Sequence, residues 1–110
     1  MSIQIPVGEI EAAAADFGDS AYVLVSSTDG PPRVTHSIVG FDGGDMIVSI
    51  GRRAAAALAH NSAVSVLWPA TDDQSMSLIV DGTAVAPVDA DGGEVRITPS
   101  GAVRHRPATG

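Results

Sequence analysis

Turn-forming residues cut this chain into short segments, and the segments between them alternate in polarity with the period of a strand. Asp29-Gly30-Pro31-Pro32 and Asp42-Gly43-Gly44-Asp45 are the clearest breaks. Aspartate and glycine favour turn geometry there, and proline removes a ladder donor. Around them lie SAYVLVSST from Ser20, RVTHSIVGF from Arg33 and MIVSI from Met46, which predict three strands in meander order. On the second of these, Val34, His36 and Ile38 alternate with Arg33, Thr35 and Ser37, which places the apolar face toward a core. AVSVLW, stopped by Pro69, predicts a fourth strand, and MSLIVDGTAVAPV a fifth, with Gly82 marking a bulge or bend. VRITPSGAVRHRP, after the turn DADGGE, predicts the last.

Two helices complete the pattern. Residues 6–17 carry Glu9 and Glu11 in the first turn and Gly18 at the stop; residues 52–60 are alanine-rich and end at Asn61. The expected architecture is mainly β: one domain, residues 1–110, built as a small six-stranded antiparallel barrel with two short helices. Closure removes the exposed edges that an open sheet of this size would present. Leu24, Ile38, Ile47, Val48, Val66, Leu78 and Val80 are the expected core, with Trp68 in the core or at an interface. A barrel of 110 residues buries little apolar surface, so a homodimer is the expected assembly.

Charge and composition narrow the function. The net charge is −7, which argues against a nucleic-acid partner, because neutralising phosphates needs a basic face. The absence of cysteine excludes a disulfide framework, a thiolate nucleophile and a thiolate metal site, and three scattered histidines make no metal set. No apolar run approaches a membrane span, and the start MSIQIPVGEIEA does not read as a secretion signal. A cytoplasmic protein with no membrane partner is expected.

The most informative chemistry is a strand–helix junction. All six basic residues are arginines, and Arg52 and Arg53 open the second helix. Cations there oppose the helix dipole at a cost of about 0.3–1 kcal/mol unless an anion is bound. With an anion present, N–H donors and guanidinium groups converge on it. No acid occurs from Met46 to Thr71, and Arg33 lies on a strand expected beside MIVSI. A phosphate monoester is the expected ligand; the alternative is that these arginines pair with turn acids such as Asp42 or Asp45. Conventional catalytic constellations are missing: no serine sits in a nucleophile elbow, and no acid pair has glycosidase spacing. If the protein catalyses a reaction, a bound cofactor must carry it.

The run PPRVTHSIVGFDGGDMIVSIGRRAAAALAHNSAVSVLWPA resembles the pyridoxamine 5′-phosphate oxidase-like FMN-binding split-barrel family. The features that carry the likeness are Arg33-Val34, Ser49 to Gly51, Arg52-Arg53, Leu58, Asn61 and the strand from Val64 to Pro69. SLIVDGTAVAP and VRITPSGAVRHRPA are similar to its long and closing strands, and the resemblance spans residues 20–106. It implies that Arg33 and Arg53, with Arg52 adjacent, hold the FMN phosphate. It implies that Val34, Thr35 and His36 line the isoalloxazine and that Ser49 and Ile50 flank the ribityl chain. Trp68 and Ser77 would come from the partner subunit of a homodimer, and Arg96 would face the substrate side. The chain departs from the family in three places: Ala54 replaces a lysine, Ser77 stands for a glutamine with Gln74 nearby, and DADGGE replaces a helix.

The resemblance implies a flavin-dependent oxidoreductase acting on a small molecule. A non-catalytic flavin- or anion-binding module and a relative that takes a deazaflavin in place of FMN are the alternatives.

Overall fold

The computed structural model describes residues 2–72 and 75–107. Its elements in chain order are β1 (Ser2–Ile5), a 3-10 turn (Val7–Glu9), α1 (Ile10–Ala15), β2 (Ser20–Val25), β3 (Arg33–Ile38), β4 (Gly40–Asp42), β5 (Asp45–Ile50), α2 (Arg52–Leu58), β6 (Ala63–Trp68), β7 (Ser77–Ala84) and β8 (Gly93–His105). All pairs are antiparallel, in the sheet order β3-β2-β6-β7-β8-β5-β4, with β1 added on β8. The fold is mainly β, a curled antiparallel half-barrel with two short helices, as expected. It has eight strands rather than six.

Both extra strands have a physical reason. β5 pairs with β8 only from Gly93 to Ile97, which leaves the second half of β8 with an open edge. β1 covers that edge, from Ser2 opposite His105 to Ile5 opposite Ala102. Four residues are too few to show a period, so the segment carries no strand signal of its own. The other extra strand comes from residues 33–41, which break at Val39 instead of running straight. The first part, β3, pairs with β2, and the second, β4, pairs with β5 through the Gly43-Gly44 turn. One bent segment thus serves both ends of the curled sheet.

That bend overturns the expected meander, because β3 and β5 share no ladder. They are joined instead by a side chain. The Ser49 N–H donates to Ser37 Oγ at 2.9 Å, and the Ser37 hydroxyl donates to the Ile38 carbonyl at 2.7 Å. Ser37 is the only buried polar residue among those described. Ser37→Ala removes the acceptor for a partly buried N–H and is expected to cost about 1–3 kcal/mol of stability. Urea unfolding at unchanged slope measures it; an unmoved midpoint would mean that water replaces the hydroxyl.

The core is formed by alternate residues of the strands: Val23 and Val25, Met46, Val48 and Ile50, Val64, Val66 and Trp68, Leu78 and Val80, Val95 and Ile97. Ile10, Ala13 and Ala14 of α1 and Ala54, Ala55 and Leu58 of α2 pack onto it. Of the expected core residues, Val48, Val66, Leu78 and Val80 are inside, and Trp68 belongs to the core at 1% exposure. Leu24 and Ile47 are half-buried on the opposite face of their strands, and Ile38 is 65% exposed. The phase of β3 is the reverse of the expectation: Ser37 faces in, while Val34 and Ile38 face out.

Gly82 marks a bulge, as expected. Asp81 pairs with Gly101 and Gly82 with Pro99, so Ser100 is the extra residue. A Cβ on Gly82 would lie 2.6 Å from the Thr98 carbonyl oxygen, so only glycine permits so close an approach of β7 to β8.

Candidate functional site

A cleft of about 910 Å³ lies between β3 and the start of α2, just past the end of β5. Pro32, Arg33, Val34 and Thr35 form one wall; Gly51, Arg52, Arg53, Ala54 and Ala56 form the other, with Ala90 at the rim. The split follows from the local sequence. Gly51 ends β5 and serves as the N-cap of α2 with extended ψ and no side-chain cap, so the chain turns away from β3 there. Volumes of about 300–1,000 Å³ are typical of small-molecule sites.

Three arginines therefore line one cleft in a chain of net charge −7. Among the described residues, none of Arg33, Arg52 and Arg53 makes an ion pair within 4.0 Å, and α2 has no acid in its first turn. Pairing with the turn acids Asp42 and Asp45 falls instead to Arg96, at 2.6 and 3.2 Å. Those two carboxylates, Asp42 first, hold the Arg96 guanidinium still more firmly protonated than usual.

A second cleft, of about 480 Å³, adjoins the first. Arg33, Arg53 and Ala56 line both, and Ser27, Thr28, Asp29, Ala57 and His60 complete the second. The Ser27 hydroxyl donates to Asp29 Oδ1 at 2.7 Å. That bond above all lowers the Asp29 carboxyl from its ordinary value, opposed by desolvation and helped by the nearby Arg33 and Arg53 charges. The sequence signal for this cleft was the Ser27-Thr28-Asp29 run beside Arg33, which reads equally as plain turn chemistry.

The other expected site residues are placed as follows. Val34 and Thr35 line the first cleft with the arginines. His36 does not: it lies on the outer face, stacked on Tyr22 with ring centroids 4.6 Å apart and 3.2 Å from Ser20 Oγ. Ile50 is buried in the core, the Ser49 N–H is tied to Ser37 while its side chain is exposed, and neither residue is in the cleft lining. Trp68 packs near Phe41, at a centroid distance of 6.5 Å, and at 1% exposure it is closed off from any ligand. Burial on the inner face of β6, rather than exposure at an interface, decides that. Ser77 lies half-buried on the outer face at the start of β7, opposite His105. Arg96 is held at the β4–β5 turn by its two aspartates, away from the cleft lining. Gln74 is outside the described residues. Ala54, standing where the family has a lysine, is 5% exposed and adds no cation.

The outer face of the sheet carries an apolar row. Tyr22 is opposite Leu67, Leu67 opposite Ile79, and Ile79 opposite Val103, with His36 beside Tyr22 on β3. Val34 and Ile38 flank the row at 58% and 65% exposure. No helix among the described residues is long and apolar enough to cross a membrane.

Comparison with known proteins finds relatives in sequence and in fold. No protein-family model matches the chain. An uncharacterized protein of Mycobacterium bovis is 33% identical over 116 residues, covering 91% of this chain and 81% of that one, and a Mycobacterium tuberculosis protein matches equally. Among solved structures, a candidate pyridoxamine 5′-phosphate oxidase of Listeria innocua superposes with a TM-score of 0.68 at 13% identity, covering 90% of this chain and 98% of that one. A FAD-binding protein of Mesorhizobium loti gives 0.64 at 13% identity, covering 96% and 98%. An F420 reductase gives 0.61 at 16% identity, covering 76% and 87%.

Proposed function

We propose that the chain, whose fold is that of pyridoxamine 5′-phosphate oxidase-like split-barrel proteins, binds a flavin, FMN in the first instance, as a homodimeric oxidoreductase of a small molecule. The observation that carries this reading is the meeting of Arg33, Arg52 and Arg53, free of ion pairs among the described residues, on the two walls of one cleft. Guanidinium groups hold a phosphate through paired charged hydrogen bonds, and the uncapped first turn of α2 adds N–H groups on the same side.

The residues present fit such a cofactor. Phosphate falls to the arginines, and Val34 and Thr35 on the edge strand β3 offer a side chain and unpaired backbone groups to a flat ring. Among the described residues the cleft lining holds no carboxylate, histidine, serine or thiol, so they supply no acid–base pair or strong nucleophile there. A bound flavin supplies hydride and electron transfer. The protein's part is to anchor the phosphate, orient the ring against β3 and limit water on that side. The outer apolar row, with Val34 and Ile38, is the surface this reading assigns to the partner subunit; exposed apolar clusters of this kind mark interaction sites.

Sedimentation velocity followed at the flavin absorption band tests both parts at once. Flavin absorbance should move with a species of twice the chain mass. Flavin left in the slow boundary at protein concentrations in excess would sink the cofactor reading, and comigration with a single chain would sink the dimer. Anaerobic addition of reduced nicotinamide then separates an enzyme, whose flavin bleaches, from a binding module, whose flavin does not.

A further inference from the structure

Resting on the flavin reading above, we propose that the ligand site continues past Arg33 and Arg53 into the cleft at Asp29, and that it is built for a flavin dinucleotide. Arg33 and Arg53 would bridge the diphosphate, and Ser27, Asp29 and His60 would receive the second nucleoside.

The first ground is continuity. The two clefts, of about 910 and 480 Å³, have Arg33 and Arg53 in common. A phosphate seated on these two guanidinium groups stands at the junction, not at a closed end. A mononucleotide held by its phosphate at the junction would lie in the first cleft and leave the second to solvent, whereas a diphosphate spans the shared cations and carries its second half onward.

The second ground is the change of chemistry across the junction. The lining of the first cleft among the described residues has three cations, apolar groups and the Thr35 hydroxyl, and no carboxylate or imidazole. The second presents a carboxylate, hydroxyls and an imidazole. Asp29 is fixed in place by Ser27, which donates to Oδ1 at 2.7 Å, while Oδ2 accepts no hydrogen bond among the described residues. A carboxylate at the rim of a phosphate cradle weakens the binding of a lone phosphate. It gains if the neighbouring group is a donor, and a ribose with two hydroxyls is the donor that acidic residues take in dinucleotide sites. The same charge selects against a cofactor that continues as a chain of carboxylates, because like charges would then face each other.

Calorimetric titration with FMN, FAD and ADP tests the proposal on the wild type and on Asp29→Asn. FAD should bind at least tenfold more tightly than FMN, and ADP should bind measurably without any flavin ring. Asp29→Asn should lower FAD affinity by about tenfold, the size expected for a charged hydrogen bond, while FMN affinity holds or rises as the opposing charge is lost. Equal affinity for FMN and FAD, or an equal loss of both in Asp29→Asn, would overturn the dinucleotide site and leave the flavin reading intact. Tighter binding of a deazaflavin with a polyanionic tail than of FAD would overturn it as well. Binding of neither flavin would overturn this proposal and the flavin reading together.

Discussion

Arg33→Ala and Arg53→Ala should each weaken FMN binding by about 1–3 kcal/mol, or roughly 5- to 150-fold, the worth of a lost charged hydrogen bond. Arg33 stands at the start of an edge strand and Arg53 in the first turn of α2, so the two reach the cleft from opposite walls. Neither makes an ion pair within 4.0 Å among the described residues, so truncation strands no buried partner. Folding stability should therefore hold while affinity falls, and the two measurements together separate a ligand contact from a structural one. Arg52→Ala should cost less than Arg53→Ala, because Arg53 faces both clefts and Arg52 only the first. Fluorescence titration of FMN reads the affinities. Unchanged affinity in both Arg33→Ala and Arg53→Ala would show that the phosphate is held elsewhere.

Gly92→Ala should cost more stability than Ser37→Ala or any of the arginine substitutions. Gly92 lies at φ +87°, and a Cβ on it would stand 2.5 Å from the Ile50 carbonyl oxygen and 2.8 Å from the Gly51 carbonyl carbon. The left-handed backbone costs a non-glycine residue about 1–2 kcal/mol. Forced overpacking adds about 1–3 kcal/mol, so the sum is about 2–5 kcal/mol. Gly93 provides the control. It lies at φ +107°, but a Cβ there meets nothing within 4 Å, so Gly93→Ala should carry only the backbone part. Urea unfolding of both variants measures the difference. Equal losses would mean that the close approach of Gly92 to Gly51 contributes nothing. Because Gly51 leads directly into Arg52 and Arg53, Gly92→Ala should also weaken FMN binding, whereas Gly93→Ala should leave it nearly unchanged.

Much of the site could be read in the chain itself. The acid-free stretch from Met46 to Thr71 and the arginine pair after Gly51 are local features, and α2 begins at Arg52 as its pattern requires. The gathering of Arg33 with that pair was expected from a β3–β5 ladder, yet the structure achieves it by a different route. The Ser37–Ser49 bond links the two strands, and the cleft lies between β3 and the first turn of α2, just past the end of β5. Asp29 and His60 were read only as a turn residue and a helix-end residue. Their place in a second cleft depends on the loop after β2 folding back against α2, which no local pattern encodes. The misplaced residues share one cause. Ile38 and His36 lie on one strand, β3, whose alternation was read correctly, but alternation does not say which set faces inward.

The turns, the strands β2, β3, β5, β6, β7 and β8, the glycine bulge on β7 and the Arg52–Arg53 pair were determined by the chain alone, because each depends on neighbours a few residues apart. The facing of β3, the bend at Val39 and the partners of Arg96 were decided only when the sheet curled. A strand that slips or rotates by one residue exchanges its two faces without changing its pattern. β3 lies at an open seam, where a polar inner face borders the cleft rather than a packed core, and that setting turned Ser37 inward and left Val34 and Ile38 outside.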